Sequence, residues 1–94
     1  MQLDKKVVAI TGGARGLGFA IAKRLGKRGA QIALVDMSAE ALDGAVSALG
    51  SEGVSAHAFV ANVADEQSVQ HAFADIGQRL GPVSGCVNNA GITD

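Results

Sequence analysis

A glycine-rich stretch, TGGARGLG, occupies positions 11–18 of the chain. A β-branched apolar run precedes it at positions 6–10, and an amphipathic helical pattern follows it at once. Because glycine has no Cβ, such a turn can take unusual dihedral angles and lets a pyrophosphate approach the backbone. The free N–H groups at the start of the following helix then face the anion. The spacing therefore predicts a phosphate-binding turn between a strand and a helix.

An acidic residue, Asp36, stands 18 positions after Gly18, at the end of a second apolar run. An acid at the end of a second strand is placed to accept hydrogen bonds from adenosine ribose hydroxyls, so the turn and the acid together indicate a dinucleotide site. Its negative charge would repel a 2′-phosphate, which favours NAD over NADP. The alternative role of Asp36 is to cap the next helix, a task for which Ser38 is also available.

Arg15, inside the glycine-rich turn, opposes that preference. Its guanidinium could pair with a 2′-phosphate, lie along the pyrophosphate or point to solvent. The repulsion between the Asp36 carboxylate and a 2′-phosphate should outweigh the attraction that one mobile arginine provides. NAD is therefore the predicted cofactor, and NADP is the less favoured one.

Asparagines end two later apolar runs. Asn88 and Asn89 precede Ala90-Gly91, and because asparagine both donates and accepts, one such amide could tie strand ends together. The backbone near Ala90 and Gly91 would then lie against the nicotinamide ribose. An ordinary Asn-Gly-type turn is the alternative.

The pair Asn62-Val63 ends the third apolar run. Because the carboxyl ends of parallel strands meet at one sheet edge, this pair is expected beside the same crevice. Asn62 could read the amino edge of adenine and Val63 could pack on its ring, while a simple loop is the alternative.

Strand-type runs lie at positions 6–10, 31–35, 54–61 and 83–88, and three helical patterns separate them. Helices are predicted over roughly 16–28, between Ser38 and Gly50, and from about 65 to 80. This alternation predicts a β-α-β-α-β-α-β chain, part of a doubly wound, Rossmann-type parallel sheet with strand order 3-2-1-4. The face of the first helix that turns inward is expected to carry Leu17, Ala20, Ile21 and Leu25.

The composition sets further bounds. The chain has 94 residues, 48% of them apolar, which predicts one small α/β domain. A net charge of −1 and only three aromatic residues, all phenylalanine, argue against nucleic-acid binding. No apolar run approaches the roughly 20 residues of a membrane helix, and the start of the chain lacks a signal-peptide core, so a cytoplasmic location is expected.

The remaining reactive side chains show no sequence pattern of a metal site or a disulfide. His57 and His71 have no metal-ligand partner at useful spacing, so no metal site is predicted. Cys86 is the single cysteine, cannot form an internal disulfide and is expected to be a buried strand thiol.

Taken together, the Thr11-Gly-x-x-x-Gly16-x-Gly18 pattern, Asp36 and the Asn-Asn-Ala-Gly run at 88–91 resemble the cofactor half of the short-chain dehydrogenases/reductases. The resemblance covers all 94 residues. Asn62-Val63 and the NNAGIT run at 88–93 are most similar to the 3-oxoacyl-[acyl-carrier-protein] reductases of fatty acid biosynthesis. Those enzymes usually prefer NADPH and lack an acid at the position of Asp36, so this chain departs from their pattern there.

The resemblance implies NAD(P)-dependent reduction of a small carbonyl or oxidation of an alcohol, and a parent protein that is a homo-oligomer, commonly a tetramer. The Tyr-x-x-x-Lys pair of the family has no counterpart here, because the chain has no tyrosine and its last lysine is Lys27. Positions 1–94 are therefore expected to be the dinucleotide-binding part of a longer single-domain oxidoreductase, inactive alone. A non-catalytic dinucleotide-binding module or sensor is the alternative. The predicted cofactor-binding residues are Gly12, Gly13, Arg15, Gly16, Leu17, Gly18, Asp36, Met37, Asn62, Val63, Asn89, Ala90 and Gly91, and no catalytic residue is assigned.

Overall fold

The computed structural model describes residues 3–89. Strands and helices alternate along them as β1 (Val7–Thr11), α1 (Gly16–Gly26), β2 (Gln31–Asp36), α2 (Ala39–Gly50), β3 (Ala56–Val60), α3 (Glu66–Leu80) and β4 (Val83–Asn88). The predicted order of elements is confirmed. Several predicted boundaries were wrong. The first strand is shifted by one residue from 6–10, α1 ends at Gly26, where a turn through Gly29 begins, and β3 is shorter than 54–61 at both ends. The N–H of Val54 bonds back to the carbonyl of Leu49 at the end of α2, and this holds Val54 outside the strand.

The four strands form one parallel sheet in the order β3-β2-β1-β4, as predicted. In this sheet Thr11 lies opposite Val35 on one side and Asn88 on the other, and Asp36 lies opposite Val60. The carboxyl ends of all four strands therefore meet at a single edge, which we call the carboxyl edge.

Helices cover the two faces of the sheet, which explains why the central strands are apolar on both sides. Side chains of Ile10 and Leu34 face α1 and α2, where Leu42 and Leu49 are fully buried. The opposite face carries a second core, packed under α3, which contains Ala9, Ala33, Val35, Phe59, Ala72 and Ile76.

Helix α1 packs through a face that matches the predicted one only at Ile21 and Leu25, whereas Leu17 and Ala20 are exposed. Its buried residues are Gly18, Ala22 and Gly26, whereas Leu17 is 58% exposed. A Cβ on Gly26 would overlap Cγ1 of Val54, so the helix lies too close to the segment before β3 for larger residues at its contact line. Ile21 and Leu25 pack beside this line and are only partly buried.

The starts of α2 and α3 are capped by side chains. The Ser38 hydroxyl accepts from the N–H of Ala41 at 3.1 Å, which confirms Ser38 as the cap of α2. The carboxylate of Asp65 caps α3 by accepting from the N–H of Gln67 at 3.0 Å. None of the helices in the described part of the chain is long and apolar enough to cross a membrane.

The prediction that Cys86 is buried was wrong. Alternate residues of β4 are exposed, and Cys86 is one of them, because β4 is the outer strand of the described sheet. Neighbouring atoms still desolvate the thiol partly and raise the pKa of Cys86.

Candidate functional site at the carboxyl edge

The turn between β1 and α1 takes the conformation that its glycines allow. Gly12 and Gly16 have positive φ angles, 67° and 61°, which L side chains rarely adopt. The N–H of Gly12 donates to the carbonyl of Val35 at 2.7 Å and attaches the start of the turn to β2. At Gly16 a Cβ would meet no atom of the described chain within 4 Å, so this part of the turn borders open space.

Gly13 and Gly18 allow neighbouring atoms to pack closely beneath the turn. A Cβ on Gly13 would lie 2.7 Å from Cδ2 of Leu34, and one on Gly18 would overlap the carbonyl oxygen of Gly12. The start of α1 therefore lies against the turn at Gly18, where only a glycine fits. Both residues are buried and shape the turn from inside.

The N-terminus of α1 differs from those of α2 and α3. Arg15 is its N-cap residue, in an extended conformation, and makes no side-chain capping bond. The first turn of α1 also contains no acid. Its N–H groups are therefore donors suited to an anion, and the exposed Arg15 adds positive charge beside them.

The structure brings Asp36 against the glycine turn. One carboxylate oxygen, Oδ1, accepts from the N–H of Met37 at 2.7 Å and from that of Ser38 at 3.5 Å. The other, Oδ2, accepts from the N–H of Ala14 within the turn at 3.4 Å. Since Ser38 supplies the cap of α2, Asp36 is not required for that task and instead joins the end of β2 to the turn.

Asn88 and Asn89 bind the end of β4 to β1 and to the turn. The side-chain amide of Asn89 donates to the carbonyl oxygen of Gly12 at 3.1 Å, and Asn89 is buried. The Thr11 hydroxyl donates to Oδ1 of Asn88 at 2.9 Å. The predicted tie between strand ends is thus present. Ala90 and Gly91, also predicted at this site, lie outside the described residues.

Asn62 organises the loop after β3. Its side-chain Oδ1 accepts from the N–H of Ala64 at 3.0 Å, and its backbone N–H donates to the hydroxyl of Ser68 at 2.9 Å. The loop is thereby closed onto the start of α3. Because one lone pair of Oδ1 is used, the NH₂ group is the freer hydrogen-bonding group of this side chain.

Exposed apolar side chains gather at the carboxyl edge. The large hydrophobic residues that are exposed within residues 3–89 are Leu17, Met37, Val60 and Val63. Val60 ends β3, Met37 and Val63 come shortly after β2 and β3, and Leu17 lies at the start of α1. Val60 was not among the cofactor-binding residues predicted from the sequence. The signal that could have found it is its position at the end of β3, in register with Asp36.

Other polar contacts lie away from this edge. Lys23 and Lys27 of α1 both pair with Glu52, and His57 contacts the hydroxyl of Ser55. Partial burial, followed by the charge of Arg79, lowers the pKa of His57. Across positions 3–89 no group of three or more His, Cys, Asp or Glu is placed to hold a metal ion.

A parallel sheet of order 3-2-1-4, with helices on both faces and a glycine-rich turn after its first strand, defines a Rossmann-type α/β protein. Residues 6–94 match the family described as short chain dehydrogenase, and the chain belongs to that family. The family resemblance inferred from the motifs is confirmed.

Curated relatives share this region at substantial identity. The chain is 45% identical over 93 residues to an acetoacetyl-CoA reductase of Synechocystis sp., covering 99% of this chain and 35% of that protein. It is 41% identical over 90 residues to a 2,3-dihydro-2,3-dihydroxybenzoate dehydrogenase of Bacillus subtilis, covering 96% and 34%. A 5-keto-D-gluconate 5-reductase of Escherichia coli is 44% identical over 91 residues, covering 97% and 36%. The chain thus spans about a third of the length of these relatives, whose names share dehydrogenase or reductase and differ in substrate.

Solved structures show the same fold. A short-chain dehydrogenase/reductase from Serratia marcescens superposes with a TM-score of 0.88 at 34% identity, over 95% of this chain and 37% of the other. Levodione reductase superposes with a TM-score of 0.82 at 36% identity, over 88% and 33%.

Proposed function

We propose that this chain forms the dinucleotide-binding part of an NAD(P)-dependent oxidoreductase of the short-chain type. The observation that carries the proposal is the convergence at the carboxyl edge of free helix N–H donors, the Asp36 carboxylate and exposed apolar side chains. A dinucleotide needs these three kinds of contact for its pyrophosphate, ribose and adenine. Hydride transfer is the chemistry that the nicotinamide supplies when it is bound.

Each predicted residue has a task in this proposal. The backbone N–H groups of Gly16 and Leu17 at the start of α1 donate to the pyrophosphate, Gly12 shapes the turn in front of them, and Arg15 supplements the charge. Gly13 and Gly18 let the turn pack closely, and Asn89 holds it through the Gly12 carbonyl.

The adenosine part of the dinucleotide is assigned to residues at the ends of β2 and β3. Asp36 accepts from the ribose hydroxyls, while Met37 and Val63 flank the adenine ring. The freer NH₂ group of Asn62 favours donation to a ring nitrogen over acceptance from the adenine amino group. Ala90 and Gly91 are assigned to the nicotinamide ribose from their place in the sequence directly after Asn88 and Asn89.

NAD is the proposed cofactor, with NADP less favoured. The carboxylate of Asp36 is held in place by backbone N–H groups and would lie next to a 2′-phosphate. Arg15 is the cation of the turn that opposes this repulsion. A fixed charge acts at a fixed distance, whereas an exposed arginine loses side-chain entropy when it pairs, so Asp36 is expected to dominate.

For the whole protein we propose reduction of a small carbonyl or oxidation of an alcohol. Similarity to 3-oxoacyl-[acyl-carrier-protein] reductases, and 45% identity to a protein named acetoacetyl-CoA reductase, support a 3-oxoacyl substrate and a place in fatty acid synthesis. A homo-oligomeric parent, commonly a tetramer in this family, and a cytoplasmic location complete the proposal.

Fluorescence titration with NADH and NADPH tests the binding function. NADH should bind more tightly than NADPH, and Asp36→Ala should shift the ratio of the two affinities towards NADPH. Asp43→Ala, which removes an exposed acid from α2, is the matched control and should leave the ratio unchanged. Absence of NADH binding by the wild-type protein would reject the proposal, and an unchanged ratio in Asp36→Ala would reject Asp36 as the selector.

A non-catalytic binding module is the second candidate, since the 94 residues contain no tyrosine. Carbonyl reduction by a polypeptide that continues into a Tyr-x-x-x-Lys segment would favour the enzyme. NADH binding with no turnover in such a polypeptide would favour the module.

A further inference from the structure

We propose that Asp36 is also a positioning residue, which holds the glycine turn in its binding conformation before any cofactor arrives. This inference rests on the proposed function and deepens it. It assigns different tasks to the two oxygens of one carboxylate.

The first oxygen fixes the carboxylate itself. Oδ1 accepts from the N–H of Met37 at 2.7 Å, a short bond for a charged acceptor, and the N–H of Ser38 lies at 3.5 Å from the same atom. Asp36 is only partly exposed. The orientation of the side chain is therefore set by the backbone that follows β2, without help from a ligand.

The second oxygen reaches the turn. Oδ2 accepts from the N–H of Ala14 at 3.4 Å, and Ala14 itself is buried. The turn is already attached to β2 through Gly12 and Val35, and it is packed on Leu34 at Gly13. The contact with Asp36 extends this attachment to Ala14, immediately before the start of α1.

The lengths of these bonds indicate which one a ligand replaces. The bond to Met37 is short, whereas the bond to Ala14 exceeds the usual range of about 2.7–3.2 Å for N–H to O. A ribose hydroxyl that approaches Oδ2 would form the stronger bond. Oδ1 therefore keeps the carboxylate in place, while Oδ2 holds the turn until a ribose arrives.

Amide hydrogen exchange, measured by NMR on the protein without nucleotide, tests this division of tasks. In Asp36→Ala both acceptors are lost, so exchange at the N–H groups of Ala14 and Met37 should accelerate about tenfold or more. In Asp36→Asn the side chain keeps its shape and one acceptor oxygen. That oxygen should remain with Met37, the closer partner, so only Ala14 should lose protection.

The selective loss in Asp36→Asn distinguishes positioning from a general structural role. Amides of the central strand, such as that of Ile10, report global opening, and Asp43→Ala is again the control. Unchanged exchange at Ala14 in both Asp36 variants would overturn the inference. So would acceleration in Asp36→Asn that is equal at Ala14, Met37 and Ile10. Because no nucleotide is present, these outcomes are independent of whether the wild-type protein binds NADH.

Discussion

The side-chain amide of Asn89 donates a hydrogen bond to the carbonyl oxygen of Gly12 across 3.1 Å, joining residues 77 positions apart. Asn89 follows β4, and Gly12 opens the turn after β1, so one bond connects the last described strand to the glycine turn. Gly18 lies against both groups, since a Cβ there would come within 2.9 Å of Nδ2 of Asn89. The turn is therefore held from beneath by the side chain of Asn89, and the backbone of α1 packs against the same contact at Gly18.

Asn89→Ala should destabilise the protein and weaken NADH binding together. The variant leaves the Gly12 carbonyl without this donor, and loss of one partner of a buried hydrogen bond costs about 1–3 kcal/mol. Urea denaturation gives the free energy of unfolding, and fluorescence titration gives the affinity. Ser51→Ala removes an exposed hydrogen bond at the end of α2 and should change neither quantity appreciably. Equal effects of the two variants would contradict the role assigned to Asn89.

Gly18→Ala and Gly44→Ala should have opposite effects on stability. Both glycines lie in helices, but the added methyl group overlaps the Gly12 carbonyl in the first case and meets nothing within 4 Å in the second. Gly18→Ala should cost about 1–3 kcal/mol through overpacking and should impair NADH binding. Gly44→Ala should stabilise by about 0.4–1 kcal/mol, because alanine lowers the entropy of the unfolded chain. Thermal denaturation of both variants measures these changes, and equal stability would refute the proposed contact.

The close approach of α1 to the segment before β3 predicts coupling between Gly26 and Val54. Gly26→Ala introduces a methyl group where Val54 already lies, and it should destabilise by about 1–3 kcal/mol. In the background of Val54→Ala the same change should cost much less, because the Val54 methyl groups are absent. A double-mutant cycle of unfolding free energies measures this coupling, which should exceed about 0.5 kcal/mol. Additive effects would show that the two residues do not compete for space.

The ion pairs of Glu52 should contribute to stability in a pH-dependent manner. Hydrogen bonds from Lys23 and then Lys27, at 2.9 Å and 3.0 Å, lower the pKa of Glu52. A carboxyl with a lowered folded-state pKa stabilises the fold above its unfolded pKa of about 4.3, and this contribution is lost as the pH falls through the folded value. These side chains are 37–52% exposed, so the contribution should be small and should weaken with added salt.

Comparison of wild-type protein with Glu52→Gln tests this behaviour. The difference in unfolding free energy should be largest at about pH 7 and should shrink as the pH falls through the lowered folded-state pKa of Glu52, because the wild-type carboxyl then also becomes neutral. Asp43→Asn changes an exposed acid in α2, the helix that precedes Glu52, and provides the background change for loss of one charge. A difference that stays constant over this range would show that the ion pairs do not set the pKa of Glu52.

Much of the architecture was predictable because local patterns and chain connectivity determine it. Alternating strand and helix patterns require parallel strands with crossovers, and the glycine turn after the first strand indicates the order 3-2-1-4. Ser38 was recognisable as a helix cap because capping depends on neighbours along the chain. The tie between strand ends was predictable in kind, since an asparagine at the end of β4 must lie beside the end of β1.

Tertiary structure decided which side chains are buried and how closely segments that are distant in sequence approach one another. Helical periodicity in α1 allows an apolar face with Leu17 or a face of small residues, and the position of Val54 selects the second. Exposure of Cys86 depends on which strand lies at the side of the sheet. The sequence determined that Asp36 ends a strand near a glycine turn. Only the folded chain decided that one of its oxygens reaches Ala14, because that contact depends on how closely two separate segments approach.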